Sequence, residues 1–128
     1  MYYIGIDWGA KDCGLAWADE ETKIATAYKQ IDKEELLNEI SKVKDEFGIS
    51  RVIFGVNSEK DKHKRKKILS EIKNLNLKVE FENEAFSTLL AQVNLIESKK
   101  KMVSKFDDAE AARIILQSWL DKNLLDKH

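Results

Sequence analysis

The stretch Tyr3-Ile4-Gly5-Ile6-Asp7-Trp8-Gly9 puts a single carboxylate at the end of an apolar run, with Lys11 and Gly14 just beyond it. Its period-2 patterning predicts a strand over residues 2–7, and the flanking apolar side chains imply a sheet that is at least half-buried. An ionised acid in that setting is costly unless it is paired or metal-bound. Asp7 is therefore a candidate metal ligand, with a turn cap beside Gly9 as the plainer alternative.

Gly9 and Gly14 bracket a turn, and Cys13–Ala18 resumes the extended apolar pattern up to the Asp19-Glu20-Glu21 break, which makes a hairpin. Lys23–Lys29 is a third candidate strand of the same meander. From Asp32 the period changes. Leu36, Leu37, Ile40, Val43 and Phe47 recur at helical spacing, Asp32 can cap the start and Gly48 can close the end. Arg51–Val56 is then a short continuous apolar run, as expected of a strand buried on both faces. After a charged segment over residues 59–67, Ile68, Leu69, Ile72 and Leu75 define a second helix whose first turns are solvated. Lys78–Glu82 reads as an edge strand with Val79 and Phe81 inward. Two more helices are expected, at Leu89–Ile96 and from about Phe106 to Leu120. The order βββ-α-β-α-β-α-α predicts an α/β fold with a five-stranded mixed sheet, an antiparallel β1-β2-β3 meander extended by parallel β4 and β5, flanked by helices.

The chain has 128 residues, long enough for one domain with a real core and short for two, so residues 1–128 are expected to form a single domain. Hydrophobic residues make up 43% and supply that core; charged residues, at 35%, supply a heavily solvated surface. With 22 basic against 23 acidic residues the net charge is -1, which excludes a global affinity for nucleic acid or membrane and leaves the question to local patches. A single cysteine, Cys13, forms no internal disulfide and reads as a small apolar residue in a strand. The N-terminus lacks a signal pattern, and no apolar run approaches the roughly 20 residues of a membrane span, so a cytoplasmic location is the expectation.

This order of elements, with three motifs, resembles the YqgF/RuvX family, the Holliday-junction resolvases and pre-16S ribosomal RNA nucleases of the ribonuclease H-like superfamily. The first motif is Ile4-Gly5-Ile6-Asp7-Trp8-Gly9-Ala10-Lys11 with Gly14-Leu15-Ala16. The second is Asn83-Glu84 with Ser87-Thr88 and Ala91, and the third is Asp108 with Ala111-Ala112 and the run Ile115–Asp121. The resemblance implies a Mg²⁺-dependent (or Mn²⁺-dependent) endonuclease acting on branched DNA or on a ribosomal RNA precursor. It carries the metal-ligand and catalytic roles to Asp7, Glu84 and Asp108. The chemistry agrees: phosphodiester hydrolysis needs an activated water and stabilised charge on the leaving oxygen, and hard oxygen ligands hold the ion that supplies both.

Lys11, Trp8, Asn57, Ser87 and Thr88 are candidate substrate contacts. Two lysine-rich runs, one containing Lys64 and Arg65 and the other Lys99, Lys100 and Lys101, are candidates for tracking a phosphate backbone, although such runs are commonly only solvated faces. The chain also departs from the family pattern. Asn83-Glu84-Ala85 stands where Asp-Glu-Arg is usual, Asp12 replaces an arginine, and Gly55-Val56-Asn57-Ser58 lacks the usual Gly-Leu-Pro. These changes remove cations suited to phosphate, and they motivate a rival reading: a ribonuclease H-like nucleic-acid-binding module with weakened or no catalysis.

Overall fold

The computed structural model describes residues 1–8, 12–56, 62–83 and 108–125, with the backbone alone for residues 56, 62–65, 83, 108, 124 and 125. Five strands, β1 (Tyr2–Trp8), β2 (Asp12–Asp19), β3 (Ala25–Asp32), β4 (Ile49–Val56) and β5 (Lys78–Asn83), form one sheet in the order β3-β2-β1-β4-β5. The β1-β2-β3 meander is antiparallel, and β4 and β5 continue the sheet in parallel from β1. This is the mixed sheet expected from the sequence.

Alternation along β1 divides the molecule into two layers of core. Ile4 and Ile6 face helices α1 (Leu36–Phe47) and α2 (Lys62–Lys73), joined by Leu15, Val52 and Phe54. Leu36, Ile40 and Val43 give α1 its buried stripe, and Ile68 and Ile72 do the same for α2. Tyr3 faces the other way, with Ala16, Ala18, Ala25 and Ile53, toward helix α3 (Asp108–Leu120), which contributes Ala112, Ile115, Leu116, Trp119 and Leu120. Gly5 lies on this second face, since a Cβ there would meet Leu116 and Ala112. Val52, Ile53 and Phe54 are all buried, as a strand covered on both faces requires. That strand is interior, while β1 holds the centre of the sheet.

Several boundaries differ from expectation. β3 begins at Ala25 rather than Lys23, because Lys23 adopts a left-handed φ of 57° and donates its N–H back to Asp19 O at 2.9 Å, which holds it in the turn. The strand then runs on to Asp32, paired with Asp12. Asp32 makes no side-chain cap; it leads into a 3-10 turn, Lys33–Glu35, ahead of α1. Gly48 closes α1 as predicted, with φ of 82° and its N–H shared between Val43 O and Lys44 O. Leu75 falls in the turn after α2, and Asp121–Leu125 forms a π-helical turn after α3. The helix predicted at residues 89–96 lies outside the described residues.

Candidate active site

Asp7 is buried, at 6% exposure. It stands near the end of β1, two residues past Gly5, and therefore points to the α3 face. Its partner on β2 is Gly14, and on β4 the residue following the Ile6–Phe54 pair is Gly55. Neither neighbouring strand thus sets a side chain beside the carboxylate. The space above Gly55 is taken by Ile115, whose Cδ1 would lie 2.5 Å from a Cβ there. Asp7 is the buried acid that the opening stretch implied.

The backbone contacts of α3 fix where its first residue stands. Tyr3 packs against Trp119, their ring centres 5.9 Å apart, and Gly5 lies under Ala112 and Leu116. The helix therefore runs antiparallel to β1. Asp108, one turn N-terminal to Ala112, is carried toward the end of β1 where Asp7 sits. Two of the three acids named by the third and first motifs are brought to one end of the sheet by this crossing. Glu84, one residue past the end of β5, lies outside the described residues, and so do Lys11, Asn57, Ser87, Thr88, Lys99, Lys100 and Lys101. Among the described residues no group of three or more metal-ligating side chains converges. What is described suits a hard divalent cation in kind: a buried carboxylate on a face flanked by glycines, with a second acid at the adjoining helix start.

One acid was missed by the sequence reading. Glu82 on β5 is 6% exposed, while Phe81 beside it is 48% exposed, the reverse of the alternation expected for that strand. Glu82 pairs with Gly55 across the ladder and accepts a hydrogen bond from Lys122 Nζ at 3.1 Å. Its burial depends on α3 and the turn after it covering that end of the sheet, which no local pattern announces.

Trp8 lies on the opposite face from Asp7. Its ring packs on Phe54, with centres 5.9 Å apart, and Lys33 Nζ sits 4.3 Å from its centre. The indole Nε1 is buried with no hydrogen-bond partner among the described residues. Lys64 and Arg65 belong to the first turns of α2, which follows β4 and so begins at the same end of the sheet as Asp7; Lys66 and Lys67 on this helix are exposed. A groove of about 350 Å³, lined by Tyr2, Trp17, Tyr28 and Phe47 among others, lies on the α1 face and not beside Asp7. Trp17 is half-buried there against the edge of Tyr2.

Residues 1–122 match the sequence model of RuvX, described as Holliday junction resolvase. The chain belongs to the RuvX family. Relatives of this RuvX chain include a protein of Dictyoglomus turgidum named "Putative pre-16S rRNA nuclease", 33% identical over 98% of each chain. A protein of the same name from Mycoplasmopsis synoviae is 33% identical over 94% of this chain and 98% of its own. Among solved structures, the fowlpox virus Holliday junction resolvase superposes with a TM-score of 0.61 at 16% identity, covering 97% of this chain and all of that one. At that identity the likeness concerns the fold, which is ribonuclease H-like. No helix among the described residues is long and apolar enough to cross a membrane.

Proposed function

We propose that this RuvX chain is a metal-dependent endonuclease of structured nucleic acid, acting as one domain over residues 1–128 in the cytoplasm, with a ribosomal RNA precursor as its first-choice substrate and branched DNA as the alternative. The observation that carries the reading is the burial of Asp7 on the face along which α3 brings Asp108 to the same end of the sheet. Asp7, Glu84 and Asp108 would hold Mg²⁺ or Mn²⁺. When bound, such an ion activates water and neutralises charge on the phosphate and the leaving oxygen.

The chain's own contribution is placement and exclusion. β1 fixes Asp7 between two strands, so its carboxylate would meet a metal ion with little side-chain freedom left to lose. The sheet below and α3 above keep bulk water from its buried side, which strengthens every charge interaction there. Lys11, Asn57, Ser87 and Thr88 would contact substrate. The cations at the start of α2 and those at Lys99, Lys100 and Lys101 would supply non-specific grip on the backbone.

The test is cleavage of a precursor ribosomal RNA fragment and a four-way DNA junction with Mg²⁺ or Mn²⁺. Asp7→Asn should lower turnover by about 10²-fold or more while the chain stays folded. Unchanged turnover in that variant overturns the mechanism. Tight, salt-sensitive binding without cleavage by the wild type would instead favour the non-catalytic module suggested by Asn83, Ala85 and Asp12.

A further inference from the structure

We propose that Gln117 is a positioning residue that fixes where α3 stands along the sheet, and through α3 sets Asp108 beside Asp7. The inference rests on the reading of those acids as a metal site. Gln117 Oε1 accepts the Ala25 N–H at 2.8 Å, and Nε2 donates to Lys23 O at 3.2 Å and to Asp121 Oδ1 at 3.0 Å. The side-chain amide thus bonds the backbone on both sides of Ile24, as a neighbouring strand would, and it does so from the helix more than ninety positions away. Ile24 itself is 64% exposed, so its side chain adds no packing to hold this corner.

The need for such a lock follows from the surface α3 rests on. Under the helix lie Gly5, Ala16, Ala18, Ala25 and Gly55, with Tyr3 and Ile53 as the larger members. The notches at Gly5 and Gly55 seat the middle of the helix, while at the Gln117 corner the apolar contact is Ala25, a small side chain whose non-directional packing alone discriminates weakly between neighbouring positions. Hydrogen bonds to fixed backbone atoms do discriminate, because they fail within a few tenths of an ångström beyond their range. Gln117 lies nine residues from Asp108, about 13.5 Å along a rigid helix, so a slip at one end is delivered whole to the other. Metal ligation tolerates little such error, since ligand distances for hard cations fall within a few tenths of an ångström.

The experiment uses the full chain and Mn²⁺ alone as probe, titrated by electron paramagnetic resonance, with amide hydrogen exchange across residues 109–116 on the same samples. Gln117→Met keeps the volume and removes every hydrogen bond. Gln117→Glu keeps the acceptor for Ala25 N–H but loses the donor to Lys23 O and to Asp121 and sets a carboxylate against both oxygens. Val43→Ala, in the opposite core layer, controls for general destabilisation. Gln117→Met should weaken Mn²⁺ binding about tenfold or more and speed exchange in α3, with Gln117→Glu at least as weak and Val43→Ala binding Mn²⁺ normally. Normal Mn²⁺ affinity in Gln117→Met, even with a lowered melting point, overturns the proposal. If the wild type binds no Mn²⁺, the metal-site reading falls; exchange in α3 then decides the positioning role by itself, and unchanged exchange in Gln117→Met overturns it.

Discussion

Gly5→Ala should cost more stability than Gly55→Ala, although the new methyl group at position 55 is the more crowded by distance. At Gly5 the added Cβ would lie 2.7 Å from Leu116 Cβ, 3.0 Å from Ala112 O and 3.5 Å from Leu116 Cα. Carbon atoms in contact prefer about 3.5–4.0 Å, so the shortfall against Leu116 Cβ is roughly an ångström. All three atoms are backbone or fixed to it, so no rotamer relieves the clash and the whole of α3 must lift. Overpacking of this kind costs about 1–3 kcal/mol, and the rigidity of the obstacle puts Gly5→Ala in the upper half of that range. For a chain of this size that corresponds to a fall of roughly 5–15 °C in melting temperature. At Gly55 the nearest atom, at 2.5 Å, is Ile115 Cδ1, the far end of a side chain; Ile115 Cγ1 and Ile6 O follow at 3.3 and 3.4 Å. Turning Ile115 off its rotamer costs about 0.5–1.5 kcal/mol. Loss of glycine's freedom in the unfolded chain returns about 0.4–1 kcal/mol of that. Gly55→Ala should therefore fall between neutral and about 1 kcal/mol destabilising. Urea denaturation followed by circular dichroism measures both. A Gly5→Ala midpoint equal to wild type, or one above that of Gly55→Ala, would refute the account of how α3 is seated.

Three further outcomes are expected. Burial pushes the Glu39 carboxyl up, but hydrogen bonds from Tyr28 and Lys29 and the charges of Lys29 and Lys42 outweigh it and hold the group below its ordinary 4.5. A depressed carboxyl stabilises the fold above its unfolded value and loses that contribution as pH falls through the folded one. Tyr28→Phe should then cost about 1 kcal/mol at pH 7, with the gap to wild type narrowing below pH ~4.5; a gap constant down to pH 3 contradicts this. Lys33→Met should cost about 0.5–1 kcal/mol and shift tryptophan emission by removing the charge over the Trp8 ring, whereas Trp8→Phe should leave nucleic-acid affinity within about twofold, since that ring faces away from Asp7. A tenfold loss of affinity in Trp8→Phe would put the ring in contact with substrate. Replacing Lys66 and Lys67 together by alanine should reduce the slope of log affinity against log salt by about 1.8 for duplex DNA, and an unchanged slope would remove that part of α2 from the interface.

Local pattern was enough for the five strands, the helices among the described residues and the burial of Asp7, because each rests on neighbours a few residues away: an acid ending an apolar run, an i, i+4, i+7 stripe, a glycine after Phe47. What it could not supply were features made by α3. The Ala25 N–H at the start of β3 is held by an amide at position 117, and Glu82 is met by Lys122 in a turn forty residues later. Read alone, Glu82 is a solvent-facing acid on an edge strand and Phe81 its inward neighbour; the structure reverses them because the helix covers the acid's face. Gly5 makes the same point for the site. Within its strand a glycine is a weakness, costing freedom and offering nothing to pack. Beneath Ala112 and Leu116 it becomes the reason α3 can approach closely enough to bring Asp108 to the end of β1, so the second acid of the proposed site depends on the absence of a side chain two residues before the first.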